Sequence, residues 1–188
     1  MGFVATSAAS STIVTLTSPT GAATAYVYDG FGDLTQESNP NTGTTVYYYD
    51  STGNRIKRVA ATGAVTQYTY DALDRVLTKS FPSDSTENVT YTYDQTGSPY
   101  GFGIGRLTTV RDASGFFFRD YDQLGNLIID VHTFIQDNYA AFAVISQYTY
   151  DAANRIASIT YPGGLTVSYT RDIMGRITAV AEQPSGGT

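Results

Sequence analysis

The sequence predicts an all-β protein, an antiparallel meander of successive β-hairpins, and three observations carry that prediction. A Tyr-x-Tyr-Asp unit recurs along the chain. Each copy runs into a short loop whose third residue suits positive φ. The composition, with 16 Tyr, 9 Phe and 18 Gly among 188 residues, favours strands and turns over helices.

The repeat comes first, because a fixed period of a few tens of residues decides the architecture before any single element is read. Full copies stand at Tyr26-Val27-Tyr28-Asp29, Tyr47-Tyr48-Tyr49-Asp50, Tyr68-Thr69-Tyr70-Asp71, Tyr91-Thr92-Tyr93-Asp94 and Tyr148-Thr149-Tyr150-Asp151. Degenerate copies are Arg119-Asp120-Tyr121-Asp122 and Tyr169-Thr170-Arg171-Asp172. From Asp to Asp the steps are 21, 21, 23, 28, 29 and 21 residues, a basic step of 21 with insertions.

Three residues after each Asp stand Gly32, Gly53, Asp74, Gly97, Gly125, Asn154 and Gly175. Gly, Asn and Asp enter the left-handed region at least cost. A three-residue hairpin loop, a type I turn closed by a left-handed residue, asks for one there. Asp is then the last strand residue, and its carboxylate can accept from the backbone N–H groups of the turn.

This register sets cross-strand partners. Asp faces the residue four on, which pairs Asp71 with Arg75, Asp151 with Arg155 and Asp172 with Arg176. The residue before Asp faces the one five after Asp, which pairs Tyr28 with Leu34, Tyr70 with Val76, Tyr121 with Leu127 and Tyr150 with Ile156. Strand alternation puts both Tyr and the apolar partner on one face, and Asp, Arg and Thr69, Thr92, Thr149 and Thr170 on the other. In the second copy Arg55 stands opposite Tyr49, where a guanidinium can lie over the ring.

Second turns recur at Asn41-Thr42-Gly43, Ala61-Thr62-Gly63, Ala113-Ser114-Gly115 and Pro162-Gly163-Gly164. Each unit is thus strand, tight turn, strand, second turn. Residues 1–18 read as a lead-in with a frayed start and one strand at Ser11–Thr17, residues 19–180 as the array, and residues 181–188 as a tail. Ser98-Pro99-Tyr100-Gly101-Phe102-Gly103-Ile104-Gly105 lengthens the fourth loop, with glycines too irregular for a phosphate cradle. The apolar runs Leu127–Ile135 and Tyr139–Ser146 around Gln136-Asp137-Asn138 read as one longer hairpin.

A formal charge of −6 with no basic patch argues against nucleic acid or anionic membrane as a partner. No apolar run reaches the length of a membrane span. With no Cys there is no disulfide and no thiolate metal site. Residues 1–10 lack the basic start and apolar stretch of a signal peptide, so an export address is expected outside this sequence.

The quoted copies resemble YD-repeat, or Rhs, proteins, whose signature is a repeated Tyr-x-Tyr-Asp followed by a Gly-Asn or Asn-Arg turn and Leu. Tyr47-Tyr48-Tyr49-Asp50-Ser51-Thr52-Gly53-Asn54-Arg55 and Tyr148-Thr149-Tyr150-Asp151-Ala152-Ala153-Asn154-Arg155-Ile156 match it best, and the resemblance covers residues 19–180. It implies a strip of hairpins that spirals into a hollow shell, as in bacterial polymorphic toxins, insecticidal toxin complexes and teneurins. In the toxins the shell encloses a C-terminal toxic domain. It further implies a secreted or cell-surface setting, the remainder of a larger Rhs-like chain or copies of this one as partners, and an encapsulated toxin domain. Family members usually carry many more repeats, so a fragment or short array is expected. No Asp-Pro segment of their autoproteolytic core is present, so no cleavage activity carries over.

Geometry agrees. About fourteen strands at roughly 4.8 Å spacing would close to a diameter near 20 Å, wider than side chains fill. A curved, spiral or partly closed sheet is expected, with its edges covered by other chain.

Other chemistry is weak in this sequence. His132 is the single histidine, sits in the inserted hairpin and has no nucleophile motif beside it. The repeated Asp residues stand one per turn, without the ligand density of calcium loops, and read as turn caps. Stacked Tyr rows could bind a glycan, or could be the packed face of a wall. Choline-binding arrays depend on Trp, which is absent. Asn88-Val89-Thr90 fits a glycosylation acceptor. The reading is a non-catalytic wall segment without cofactor or metal, with a glycan-binding adhesive module as the alternative. If the register is right, Gly53→Val or Gly125→Val lowers stability by about 1 kcal/mol or more in thermal unfolding, because a β-branched residue is forced to positive φ.

Overall fold

A computed structural model describes residues 2–8, 11–136 and 139–184, with side chains for 11–135 and 142–184. The chain is all-β apart from one 3₁₀ turn at Ser85–Glu87, and it divides into two units, residues 1–89 and 90–188.

The first unit is a continuous antiparallel meander of β1 (Gly2–Ala8), β2 (Ser11–Thr17), β3 (Ala23–Asp29), β4 (Leu34–Asn39), β5 (Gly43–Tyr49), β6 (Arg55–Val59), β7 (Val65–Tyr70) and β8 (Val76–Ser80). The second unit holds β9 (Val89–Tyr93), the short pair β10 (Thr96–Gly97) and β11 (Gly101–Phe102), β12 (Leu107–Asp112), β13 (Gly115–Tyr121), β14 (Leu127–Gln136), β15 (Tyr139–Tyr150), β16 (Ile156–Thr160), β17 (Thr166–Arg171) and β18 (Ile177–Gln183). There β9 pairs with β12, and the meander runs on through β18.

Seven hairpins account for the expected strands; the surplus is β1 and the β10–β11 pair. The lead-in therefore contains two strands, since Gly2–Ala8 pairs with Ser11–Thr17 along its whole length instead of fraying. Residues 181–183, expected in the tail, complete β18. Part of the turn expected at Gln136–Asn138 lies outside the described residues.

The loop assignment explains the hairpins. Gly32, Gly53, Asp74, Gly125, Asn154 and Gly175 all have positive φ, between 59° and 91°. In each, the left-handed N–H donates to the Asp carbonyl, and the Asp N–H donates to the carbonyl four residues on, as in Gly53 to Asp50 and Asp50 to Asn54. At Gly125 a side chain would also overlap the Arg106 guanidinium, whereas at Gly53 the nearest atom is Asp33 Oδ2 at 3.9 Å. Gly125→Val therefore carries a steric cost on top of the backbone strain.

The fourth copy departs from the expected register. Gly97 does not close the loop after Asp94; it lies in β10, and the loop runs to residue 105. Asp94 donates its N–H to the carbonyl of Arg106, its Oδ1 accepts from Gly105 N–H at 2.6 Å, and Tyr93 faces Leu107. The inserted chain folds into its own small hairpin, β10–β11, above an otherwise standard hairpin end.

Every hairpin also contains an irregularity not visible in the repeat pattern. The pairs Tyr28–Leu34, Tyr49–Arg55, Tyr70–Val76, Tyr121–Leu127 and Tyr150–Ile156 form as expected, but the residue after the apolar one is bulged out of register. Where that residue is Thr, its hydroxyl donates back across the hairpin: Thr35 to the Val27 carbonyl (3.1 Å), Thr108 to Thr92 (2.9 Å) and Thr178 to Thr170 (3.2 Å). A β-bulge strands backbone polar groups, and a hydroxyl satisfies one of them.

The interior is thin. Among described residues the buried apolar side chains are Val110, Tyr121 and Val131, all in the second unit, and Thr108 is fully buried. Thr108 Oγ1 also lies 2.8 Å from Gln95 Oε1. Thr108→Val keeps the shape and leaves buried acceptors short of a donor, so it should cost about 1–3 kcal/mol in denaturant unfolding. Thr178→Val, at an exposed bulge, should cost well under half as much.

Candidate functional site: the rim of linked hairpin turns

The repeated residues converge on the turn end of each hairpin, where three sets of contacts coincide. The first is the cap. Oδ1 of the repeat Asp accepts from the backbone N–H groups two and four residues on: Phe31 and Asp33 at Asp29, Thr52 and Asn54 at Asp50, Leu73 and Arg75 at Asp71, Ala153 and Arg155 at Asp151, Met174 and Arg176 at Asp172, all 2.9–3.0 Å. Asp122 accepts from Asn126 N–H at 2.9 Å.

The second oxygen faces the residue four on. Arg75, Arg155 and Arg176 donate Nε to Oδ2 of Asp71, Asp151 and Asp172 at 2.7–2.9 Å, and Asn126 does the same to Asp122. At Asp151 and Asp172 the arginine side chain is the main influence that holds the carboxyl below the usual carboxylate range; at Asp122 the Asn126 amide does so, and at Asp50 the Thr52 hydroxyl. At Asp71 partial burial pushes upward, but the backbone and side-chain bonds from Arg75 outweigh it and the net shift is downward.

The third set joins one hairpin to the next. Consecutive hairpins pair only near their second turns, and each ladder stops short of the bulge: at Gln36–Val46, Lys57–Gln67, Thr109–Phe118, Ile129–Gln147 and Ser158–Ser168. The carbonyl of the apolar-position residue is left past the ladder's end, and the second Tyr of the next copy donates its hydroxyl to it. Tyr49 reaches Leu34 (2.9 Å), Tyr70 reaches Arg55 (2.8 Å), Tyr121 reaches Leu107 (2.7 Å) and Tyr150 reaches Leu127 (2.8 Å). In the seventh copy, where Arg171 replaces the tyrosine, its Nη1 makes the same bond to Ile156 at 2.6 Å. Burial is the main reason the phenol groups of Tyr49, Tyr70 and Tyr150 ionise later than usual.

Tyr26, Tyr28, Tyr47, Tyr68, Tyr91, Tyr93, Tyr148 and Tyr169 are half-buried, while the intervening Thr69, Thr92, Thr149 and Thr170 are exposed. The bulge shifts the partner of each first Tyr. In the first unit these are charged, Glu37, Arg58 and Lys79; in the second they are Val110, Ile159 and Val180. Arg55 does not lie over Tyr49 as expected; its guanidinium sits 5.6 Å from the Tyr47 ring centre and 5.3 Å from that of Tyr68, between two successive copies.

Elsewhere the chemistry is sparse. His132 stacks on Phe117 with ring centres 5.0 Å apart, and its Nε2 is 3.6 Å from Asp130 Oδ1, beside Arg119. Among described residues no three His, Asp or Glu side chains gather in a way that could hold a metal ion. A cleft of about 670 Å³ opens at the inserted loop, lined by Pro99, Phe102, Ile104, Arg106 and Asp120. The Arg106 guanidinium there already donates to the carbonyls of Phe102, Ile104 and Gly125.

Capped turns, one bulge per hairpin and a tyrosine bond to the preceding hairpin define a structural β-hairpin repeat. The family model described as RHS Repeat matches residues 49–86 and 146–188, so these two segments carry the Rhs repeat that the Tyr-x-Tyr-Asp copies resemble. No curated protein matches the chain in sequence. In structure it is similar to the TcdB2-TccC3-TEV chain (TM-score 0.70, 14% identity, 94% of this chain) and to a TcdB2-TccC3 chain (0.66, 15%, 95%). It is also similar to a chain of the Photorhabdus luminescens Tc holotoxin pore (0.68, 14%, 95%). The likeness is one of fold, and this chain spans 11–12% of those chains.

Two outcomes test the site. Tyr70→Phe and Tyr150→Phe should each lower stability by about 1 kcal/mol through an unpaired carbonyl, while Tyr48→Phe, on an exposed ring, changes little. Because the turn carboxyls have folded pKa values below their unfolded ones, their contribution is complete above the ordinary carboxylate value of about 4 and is lost as pH falls through the folded values. The melting temperature should therefore hold from neutrality to about pH 4 and drop below it. An Asp71→Asn, Asp151→Asn, Asp172→Asn triple variant should flatten that acid limb.

Proposed function

We propose that this chain is a non-catalytic segment of Rhs-repeat wall, part of a larger secreted or cell-surface chain in which the hairpin sheet encloses or displays a toxin or effector domain. The observation that carries the reading is the bond from Tyr49, Tyr70, Tyr121, Tyr150 and Arg171 to the hairpin before each. It uses the conspicuous polar atom of the repeat for joining hairpins. The similarity to chains described as Tc holotoxin and TcdB2-TccC3 supports it at the level of fold.

The same observation weighs against an adhesive surface. A sugar-binding platform needs free ring faces and free hydroxyls, whereas Tyr49, Tyr70, Tyr121 and Tyr150 spend theirs on backbone carbonyls.

The test is made in the longer reading frame that contains this segment. Limited proteolysis should leave the enclosed domain intact in the parent protein and cleave it once Tyr70→Phe and Tyr150→Phe are combined. Equal cleavage in both would overturn encapsulation. Retention on a glycan array that Tyr→Ala substitutions abolish, with the fold intact by circular dichroism, would favour the adhesive reading.

A further inference from the structure

In five hairpins the position four after the repeat Asp, or Arg106 at the end of the longer fourth loop, does more than face that Asp. Its side chain extends past its own hairpin toward the left-handed turn residue of the next one. Asn54 donates Nδ2 to Asp74 Oδ1 at 2.6 Å, and Asn126 donates to Asn154 Oδ1. Arg106, which holds this position in the fourth hairpin, donates Nε to the Gly125 carbonyl and lays its guanidinium where a side chain on Gly125 would stand. Arg155 places Nη1 over Gly175 in the same way, while its Nε and Nη2 hold Asp151. Asp33 approaches Gly53, to 3.9 Å from where its Cβ would be.

A correlation runs through these contacts. Where the overhanging residue is Asn, the next turn has a side chain that can accept its amide, Asp74 or Asn154. Where it is Arg, the next turn has glycine, Gly125 or Gly175. Both turn types tolerate positive φ, at 59° and 62° for Asp74 and Asn154 and at 84° and 86° for Gly125 and Gly175, so backbone geometry alone does not choose between them.

We infer that the order of hairpins is specified at this rim. The residue four after Asp in one hairpin recognises the left-handed residue of the following hairpin, Asn selecting Asp or Asn, and Arg selecting Gly. The recognised partner is thus a neighbouring hairpin of the same repeat, and the code lies in residues that all hold positive φ in the turn. The inference rests on hairpin geometry and is independent of what the wall encloses.

Two double-mutant cycles on the whole chain test it, with thermal unfolding as readout. In the first, Gly175→Asn should lower the melting temperature by about 2–4 °C in the parent chain and by much less when Arg155→Asn is also present. The loss of the Arg155 to Asp151 pair is common to both Arg155→Asn arms and cancels. In the second, Asn126→Arg should destabilise against Asn154 and recover when Asn154→Gly is added. The two cycles sit at different turns, so failure of one variant to fold leaves the other decisive. Additive effects in either foldable cycle, with the turn substitution equally costly in both backgrounds, would overturn the code.

Discussion

The whole arrangement hangs on one local constraint: a residue able to hold positive φ at the end of a three-residue loop, under an Asp whose carboxylate gathers the loop's N–H groups. An odd loop closed by a left-handed residue brings the strands together with Asp facing the residue four on. The first strand pair beyond the loop then matches Tyr with an apolar residue, and the next residue is forced out as a bulge. The bulge shortens the ladder to the following hairpin and leaves a carbonyl without a strand partner. A tyrosine is long enough to reach that carbonyl from the neighbouring strand, which Phe is not equipped to bond and Ser or Thr cannot span. The identity of the repeat's second tyrosine thus follows, through two steps of backbone geometry, from the conformation of a turn residue.

What could be read from the sequence is what lies within one loop's reach. The Asp71–Arg75, Asp151–Arg155 and Asp172–Arg176 pairs follow from counting across a known loop, as do the Tyr and apolar partners. The seam between hairpins is not legible, because counting across a loop fixes partners only within one hairpin, whereas Tyr70 and Arg55, or Tyr150 and Leu127, belong to successive hairpins 15 and 23 residues apart and only the folded sheet brings them together. The misplacement of Gly97 shows the limit of spacing alone. A glycine stood at the expected offset, but the loop's true end carried the stronger signal. Arg106-Leu107 repeats the Arg-then-apolar pair of Arg75-Val76 and Arg155-Ile156, and it follows a glycine that matches the left-handed position.

The two units use the same rim with different faces. In the first, the leading tyrosines lie opposite Glu37, Arg58 and Lys79, and Arg55 lies against rings of two copies. In the second, valine and isoleucine occupy those positions and the few buried apolar side chains are found. The turn end is therefore the invariant part of the repeat, and the strand face is free to vary in polarity. The strand face can be drier or wetter without disturbing what holds the hairpins in order.

So thin an interior also explains why insertions are absorbed. With few buried apolar side chains, hairpin-to-hairpin fidelity comes from directed hydrogen bonds at the rim and short ladders near the second turns, each of which involves only adjacent hairpins, as in other repeat architectures. An insertion that preserves the rim costs nothing elsewhere. The loop after Asp94 grows to hold β10 and β11, yet Asp94 still caps, Tyr93 still meets Leu107, and the Leu107 carbonyl still receives Tyr121. The β14–β15 hairpin lengthens at the opposite end, where Phe134 and Phe142 stack at 5.0 Å, and leaves the Tyr150 bond to Leu127 in place. Both insertions add contacts between adjacent hairpins, β11 pairing with β13 and the β14–β15 ladder growing longer, and neither displaces a rim bond, which is the arrangement expected when the unit of stability is the junction between hairpins and not the hairpin itself.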